Sequence, residues 1–126
     1  MKKVLIAGLI AVSGIASAQI DCEQVIDAAK TGITKNFKDP SSAQFRRIKV
    51  IEVIEKEKPT YIAVGEVNAK NSYGGYVGFA PFGTNLFVWT TPPMAFAGVV
   101  GSGRDAVVFE NLFGPRIINV GKVVCQ

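Results

Sequence analysis

The chain has 126 residues, 48% of them hydrophobic, with 14 Lys or Arg, 10 Asp or Glu, no histidine and a formal net charge of +4. So small a basic excess, with no basic stripe, argues against a nucleic-acid partner. Without histidine there is no Ser-His-Asp or Cys-His arrangement, and two cysteines alone do not make a zinc site, so no metal or cofactor is expected.

Lys2 and Lys3 precede an apolar run from Val4 to Ile15, and Ala16-Ser17-Ala18 supplies the small residues of a cleavage site. Residues 1–18 therefore read as a signal peptide, cut before Gln19, and residues 19–126 as a single domain. The apolar run is short for a bilayer span of ~20 residues, so no transmembrane span is expected once it is removed. The destination is periplasmic or secreted. Taking 18 residues from 126 leaves 108, enough for one domain with one modest core, and the loss of two lysines lowers the charge from +4 to +2. In an oxidising compartment, Cys22 and Cys125 read as a disulfide that ties the two ends of this domain together.

Ile20 to Phe37 has helical spacing. Cys22, Val25, Ile26, Ala29, Ile33 and Phe37 recur at steps of three and four, with Asp21 placed to cap the start. Asp39-Pro40 ends the helix, because the residue before proline is pushed out of the α region. After a turn over Ser41–Ala43, Gln44 to Lys56 reads as a strand. Ile48, Val50 and Ile54 lie on one face of it, and Phe45, Ile51 and Val53 lie on the other. The change of phase near Val50-Ile51 predicts a bulge there or burial on both sides. Arg46, Arg47 and Lys49 are the densest basic cluster and read as a solvated edge, with Arg46 on the face opposite to Arg47. Glu55 to Pro59 is a charged turn.

Tyr61 to Phe82 reads as a hairpin turning at Gly74-Gly75, since a two-residue turn needs positive φ. With those two residues as the loop, Tyr73 opposes Tyr76, Asn71 opposes Gly78, Ala69 opposes Ala80 and Val67 opposes Phe82 on an inward, apolar face. Glu66, Asn68, Lys70 and Ser72 share the outward face with Pro81, Phe79 and Val77. From Asn71 to Gly103 there is no charged residue at all. Within that tract, Asn85 to Thr91 reads as a strand stopped at Pro92-Pro93, Ala95 to Val100 as a strand or loop, and Gly101-Ser102-Gly103 as a turn. Ala106 to Glu110 and Ile117 to Cys125 complete the strand candidates, separated at Gly114-Pro115. The uncharged tract reads as buried sheet with a covering loop, or as a patch for a protein partner. The fold class that results is α+β, with an N-terminal amphipathic helix packed on a mainly antiparallel sheet of about five strands.

Two stretches, FKDPSSAQFR over 37–46 and GEVNAKNSYGGYVGF over 65–79, resemble a family of small exported bacterial proteins with "DPxSAxFR" and "GEVNAKNSYGGYxGF" motifs, largely of unknown function. The resemblance covers about residues 37–82 and implies an exported compartment and the hairpin, but no reaction. Members often carry a cysteine just before the Gly-Glu, where this chain has Val64.

Three classes of function follow. The leading one is a non-enzymatic binding module of the cell envelope. Its candidate contact residues are Glu66, Asn68, Lys70, Asn71, Tyr73, Tyr76 and Phe79, and its partner is another envelope or secreted protein, with glycan as a further possibility. An inhibitor or a phage-exclusion or immunity protein is a variant of this class. The second is a structural subunit of an envelope assembly that pairs through open sheet edges. The third is carboxylate-dependent hydrolysis, for which Glu66 is the best-placed acid and Glu52, Glu55 and Glu110 are its possible partners.

Overall fold

The structure is a computed structural model that describes residues 20–55, 58–114 and 121–126. The expected signal peptide, Lys56-Glu57 of the charged turn and residues 115–120 lie outside the described residues. Helix α1 spans Cys22–Thr34, and the Asp21 carboxylate caps it by accepting the Gln24 N–H at 3.2 Å. A 3-10 turn over Pro40–Ser42 follows. The strands are β1 (Gln44–Glu55), β2 (Lys58–Asn68), β3 (Ala80–Phe87), β4 (Met94–Val100) and β5 (Lys122–Cys125), with a second helix, α2 (Ala106–Phe113), between β4 and β5. Their order across the sheet is β4-β3-β2-β1-β5, and every neighbouring pair is antiparallel. The α+β class and the number of strands are as expected.

One strand candidate is a helix. Ala106 to Phe113 is rich in valine and short enough to pass for a strand, and periodicity does not separate the two over such a run. The tertiary packing decides in favour of helix, because Phe109 and Phe113, four residues apart, then fall on one side with ring centroids 6.0 Å apart. Phe113 is fully buried and lies directly over Gly83 of β3, where an added Cβ would fall inside its ring. A second correction concerns the strand over Asn85–Thr91. The strand runs from Ala80 to Phe87, so Asn85–Phe87 is the end of the hairpin's return strand and Val88–Thr91 lies beyond it.

The sheet is covered on both sides. Val25 and Ala29 of α1 pack on Val50, Tyr61, Ala63 and Leu86, and Ile33 packs on Val67 and Phe82. On the opposite face, Phe113 packs on Ile51, Val53, Ile62 and Val64. Burial on both sides explains why Val50 and Ile51 are adjacent and both inaccessible.

The main irregularity in β1 falls earlier than the sequence suggests. The β1–β2 register breaks between Arg46 and Lys49, with Arg47 in the left-handed region at φ 58°, while only the pairing with β5 shifts between Val50 and Ile51. The extra residue places Phe45 and Ile48 against the same buried group, Val67 and Phe82, although simple alternation put them on opposite faces.

Cys22 and Cys125 are disulfide-bonded with Cα atoms 5.7 Å apart, which fastens the start of α1 to the end of β5. Because 103 residues separate them, the cross-link restricts the unfolded chain by about 4.7 kcal/mol in the loop-entropy description. The double variant Cys22→Ala/Cys125→Ala is expected to lose about that much stability in urea unfolding at unchanged secondary structure. Loss of less than about 1 kcal/mol would show that the bridge does not restrain the ensemble.

Tyr61 and Glu52 face each other across β1 and β2, and the Tyr61 hydroxyl donates to the Glu52 carboxylate at 2.7 Å. Burial, then that hydrogen bond, and then the negative charge of Glu52 push the Tyr61 phenol up to about 12 from its ordinary 10.0. A raised phenol binds its proton more tightly in the folded state, so its stabilisation is complete below about pH 10 and is lost as pH climbs through about 12. Unfolding free energy measured against pH should fall across that window, and Tyr61→Phe should flatten the fall. An equal slope in the variant would assign the alkaline loss to other groups.

Candidate functional site

The two stretches singled out in the sequence, 37–46 and 65–79, meet in space. The turn at Pro40–Ser42 forms because Pro40 supplies its fixed φ at the first position, and the Ser42 hydroxyl donates to the Asp39 carbonyl at 2.7 Å. Ser42 then holds the hairpin loop at two points. Its hydroxyl oxygen accepts the Lys70 N–H at 2.9 Å, and its carbonyl accepts the Tyr76 hydroxyl at 3.0 Å.

The loop is longer than a two-residue turn. Lys70 and Tyr76 form an isolated bridge, the Asn71 N–H donates to the Gly75 carbonyl at 2.9 Å, and the Gly74 N–H donates to the Asn71 carbonyl at 3.1 Å. The Asn71 side-chain oxygen accepts from the N–H groups of Tyr73 and Gly75 at 2.9 and 3.2 Å, which is the local bonding that draws asparagine into turns. Beyond the bridge the chain leaves the ladder. Gly78 takes φ 102°, and its N–H is captured by the Asn68 side-chain oxygen at 2.9 Å.

As a result the strands pair as Val67 with Ala80 and Gly65 with Phe82, two residues away from the register expected from a Gly74-Gly75 turn. A slip of two preserves the alternation of faces, so Val67 and Phe82 still point inward and are buried. Tyr73 and Tyr76 are not a cross-strand pair. Tyr76 reaches Ser42, while Tyr73 is 95% exposed at the tip.

The remaining candidate residues fall around this loop. Glu66 accepts from Arg46 Nε at 2.6 Å and lies 3.6 Å from an Arg47 nitrogen. The bulge in β1 is what lets two consecutive arginines reach one carboxylate, against the expectation that they lie on opposite faces. Arg46 also lies over the Phe79 ring at 3.9 Å, and the Lys70 ammonium lies 5.7 Å from the centre of the Tyr76 ring. Asn68, expected on the outward face, is buried and spends its side chain on Gly78. Beside the loop runs an open groove of about 350 Å³, bordered by Phe37, Lys70, Asn71, Val77 and Val100. Of the seven candidates, Asn68, Lys70, Asn71, Tyr76 and Phe79 hold the loop in shape, Glu66 is engaged by arginine, and Tyr73 is presented freely.

The role of Ser42 had no visible signal in the sequence, because serine in a Pro-Ser-Ser turn is ordinary turn chemistry. A second feature missed is an aromatic cluster at the other end of the hairpin. Ring centroids of Phe87 and Trp89 are 5.0 Å apart and those of Phe87 and Phe96 are 5.6 Å apart, with Trp89, Phe96 and Met94 exposed. Ile62 pairs with Asn85 and Asn85 with Phe96, so this cluster continues the face on which α2 packs.

Among the described residues, no three His, Cys, Asp or Glu side chains gather as metal ligands, and no helix is long and apolar enough to cross a membrane. Compared with protein-family models, curated proteins and solved structures, the chain matches none of them.

The straps predict a measurable rigidity. Tyr76→Phe removes one hydrogen bond and should lower stability by about 1 kcal/mol, with faster amide exchange at the Asn71 and Gly75 N–H groups. Unchanged exchange in that variant would mean that Ser42 does not tether the loop.

Proposed function

We propose that this protein is a non-enzymatic recognition module of the cell envelope or the secreted fraction, and that it contacts its partner through the loop between Lys70 and Val77. The observation that carries this reading is the fully exposed Tyr73 on a loop fixed at both ends, by Ser42 on one side and by Asn71 and Asn68 within. A large ring held out on an ordered backbone gives contact area at little entropic cost, because the ordering has taken place before binding. The groove beside the loop offers apolar floor and polar groups, among them Lys38, Lys70 and Asn71, to a partner's neighbouring residues. The disulfide and the export signal read from residues 1–18 support action outside the cytoplasm. Against hydrolysis, the Glu66 carboxylate is already taken up by contacts to Arg46 and Arg47, at 2.6 and 3.6 Å.

The experiment is affinity capture from envelope and secreted fractions with wild-type and Tyr73→Ala protein as paired baits. The expected outcome is a partner retained by the wild type and bound at least ~tenfold more weakly by the variant at an unchanged melting temperature. Equal retention by both baits would rule out the loop as the contact. A glycan array run with the same pair shows whether the ligand is sugar.

A second reading rests on the aromatic cluster. Strand β4 is an edge strand without charge or proline, and Met94 and Phe96 are exposed along it. If this edge pairs within an envelope assembly, the protein sediments as an oligomer and Phe96→Lys makes it monomeric. Sedimentation of the wild type as a monomer across the accessible concentration range would remove this reading.

A further inference from the structure

We propose that the bulged edge of β1 is a docking cleft for an acidic peptide segment of a partner protein, separate from the loop tip. An open cleft of about 870 Å³ wraps this edge, and Lys30, Arg46, Arg47 and Lys49 line it together with Ile48 and Phe109. Glu66 is the one acidic side chain among the lining residues described. Four cationic side chains therefore face one acidic side chain, with Gln126, the last residue of the sequence, also at the border, in a chain whose overall excess of positive charge is only +4. The surplus is local, and it lies over apolar floor that does not neutralise it.

The geometry shows which anion these cations favour. Arg46 and Arg47 converge on a carboxylate, that of Glu66, at 2.6 and 3.6 Å. Arg46 is fully committed, because it also covers Phe79. Arg47 makes only the longer contact, and its side chain is 74% exposed. It also stands at φ 58°, a position of this kind of bulge that glycine normally fills, so the chain carries a cationic side chain where the backbone would be better served by none. Its neighbour Lys49 is exposed as well.

Strand addition is a poor way to fill this cleft, since the bulge interrupts the ladder and β5 pairs with β1 only over Val50–Glu52. Recognition falls to the side chains, with Asp or Glu carboxylates on Arg47, Lys49 and Lys30 and apolar residues interleaved over Ile48 and Phe109.

The test uses the purified, disulfide-closed protein and a fluorescein-labelled peptide of alternating Glu and Leu, read by fluorescence anisotropy. Its controls are the same peptide with Gln for Glu, and vesicles of phosphatidylglycerol in phosphatidylcholine. The expected result is binding to the Glu peptide that weakens with added salt and is lost with the Gln peptide. Arg47→Gly and Arg47→Gln should each weaken it about tenfold. The glycine variant suits the backbone at this position, so a loss of binding at an unchanged or raised melting temperature is not misfolding. Tyr73→Ala should bind the peptide like the wild type, which keeps this result distinct from the fate of the loop. The proposal is overturned if the Glu peptide does not bind, if the Gln peptide binds equally, or if Lys122→Gln, away from the cleft, weakens binding as much as Arg47→Gln. Tighter binding to the vesicles than to the peptide would overturn it in favour of a lipid surface.

Discussion

Arg47 occupies the left-handed backbone region, and the bulge it makes in β1 settles where each half of that strand points. N-terminal to the bulge, Phe45 turns inward and meets Phe82 edge-on at 5.6 Å, while Arg46 turns outward to Glu66 and Phe79. C-terminal to it, Ile48 joins the same buried group as Phe45, and the regular alternation of Val50, Ile51 and Val53 begins. A non-glycine residue in this region costs on the order of 1–2 kcal/mol, and here that cost is offset by the core contacts and ion pairs the bulge makes possible. The phase of β1, the position of the loop and the cationic cleft all follow from this one local departure from the pleat.

Around that strand the domain is three layers thick. The sheet is the middle layer, α1 covers the face of Tyr61, Ala63, Phe82 and Leu86, and α2 covers the face of Ile51, Ile62 and Val64. Two covered faces let a short chain bury consecutive residues of one strand. The eight residues of α2 cannot cover the whole second face, and the part left over is the one that carries Phe87, Trp89 and Phe96. The covalent link between Cys22 and Cys125 joins the first helix to the last strand, so the ends of the domain are restrained together.

The surface divides by chemistry. At one end of the hairpin is an ordered polar and aromatic loop, held by hydrogen bonds within the chain. Next to it, around the bulge, lies a cleft of positive charge. At the opposite end lies an uncharged aromatic patch on an edge strand. Ion pairs exposed as Arg46–Glu66 is contribute little to stability on their own. Their effect is positional, because they aim Arg46 at Phe79 and so help to set the return path of the loop.

By itself the sequence determined what depends on near neighbours along the chain. Asp21 caps a helix whose apolar residues recur every three or four positions, although it stops at Thr34, ahead of Asp39-Pro40, and Val67 and Phe82 lie on the buried face that alternation assigned to them. The pairing of Cys22 with Cys125 was also legible, because there are only two cysteines to pair. Tertiary structure decided what depends on distant groups. Ser42, Lys70 and Tyr76 meet only after the sheet has formed, so the loop's true length and the two-residue shift in register had no local signature. Ala106–Phe113 became a helix because Phe113 needed a seat over Gly83, a contact thirty residues away in sequence. Local propensity is read within a few residues, whereas register, strand phase and the side chains that converge on one site are fixed by packing between segments that the sequence alone does not place together.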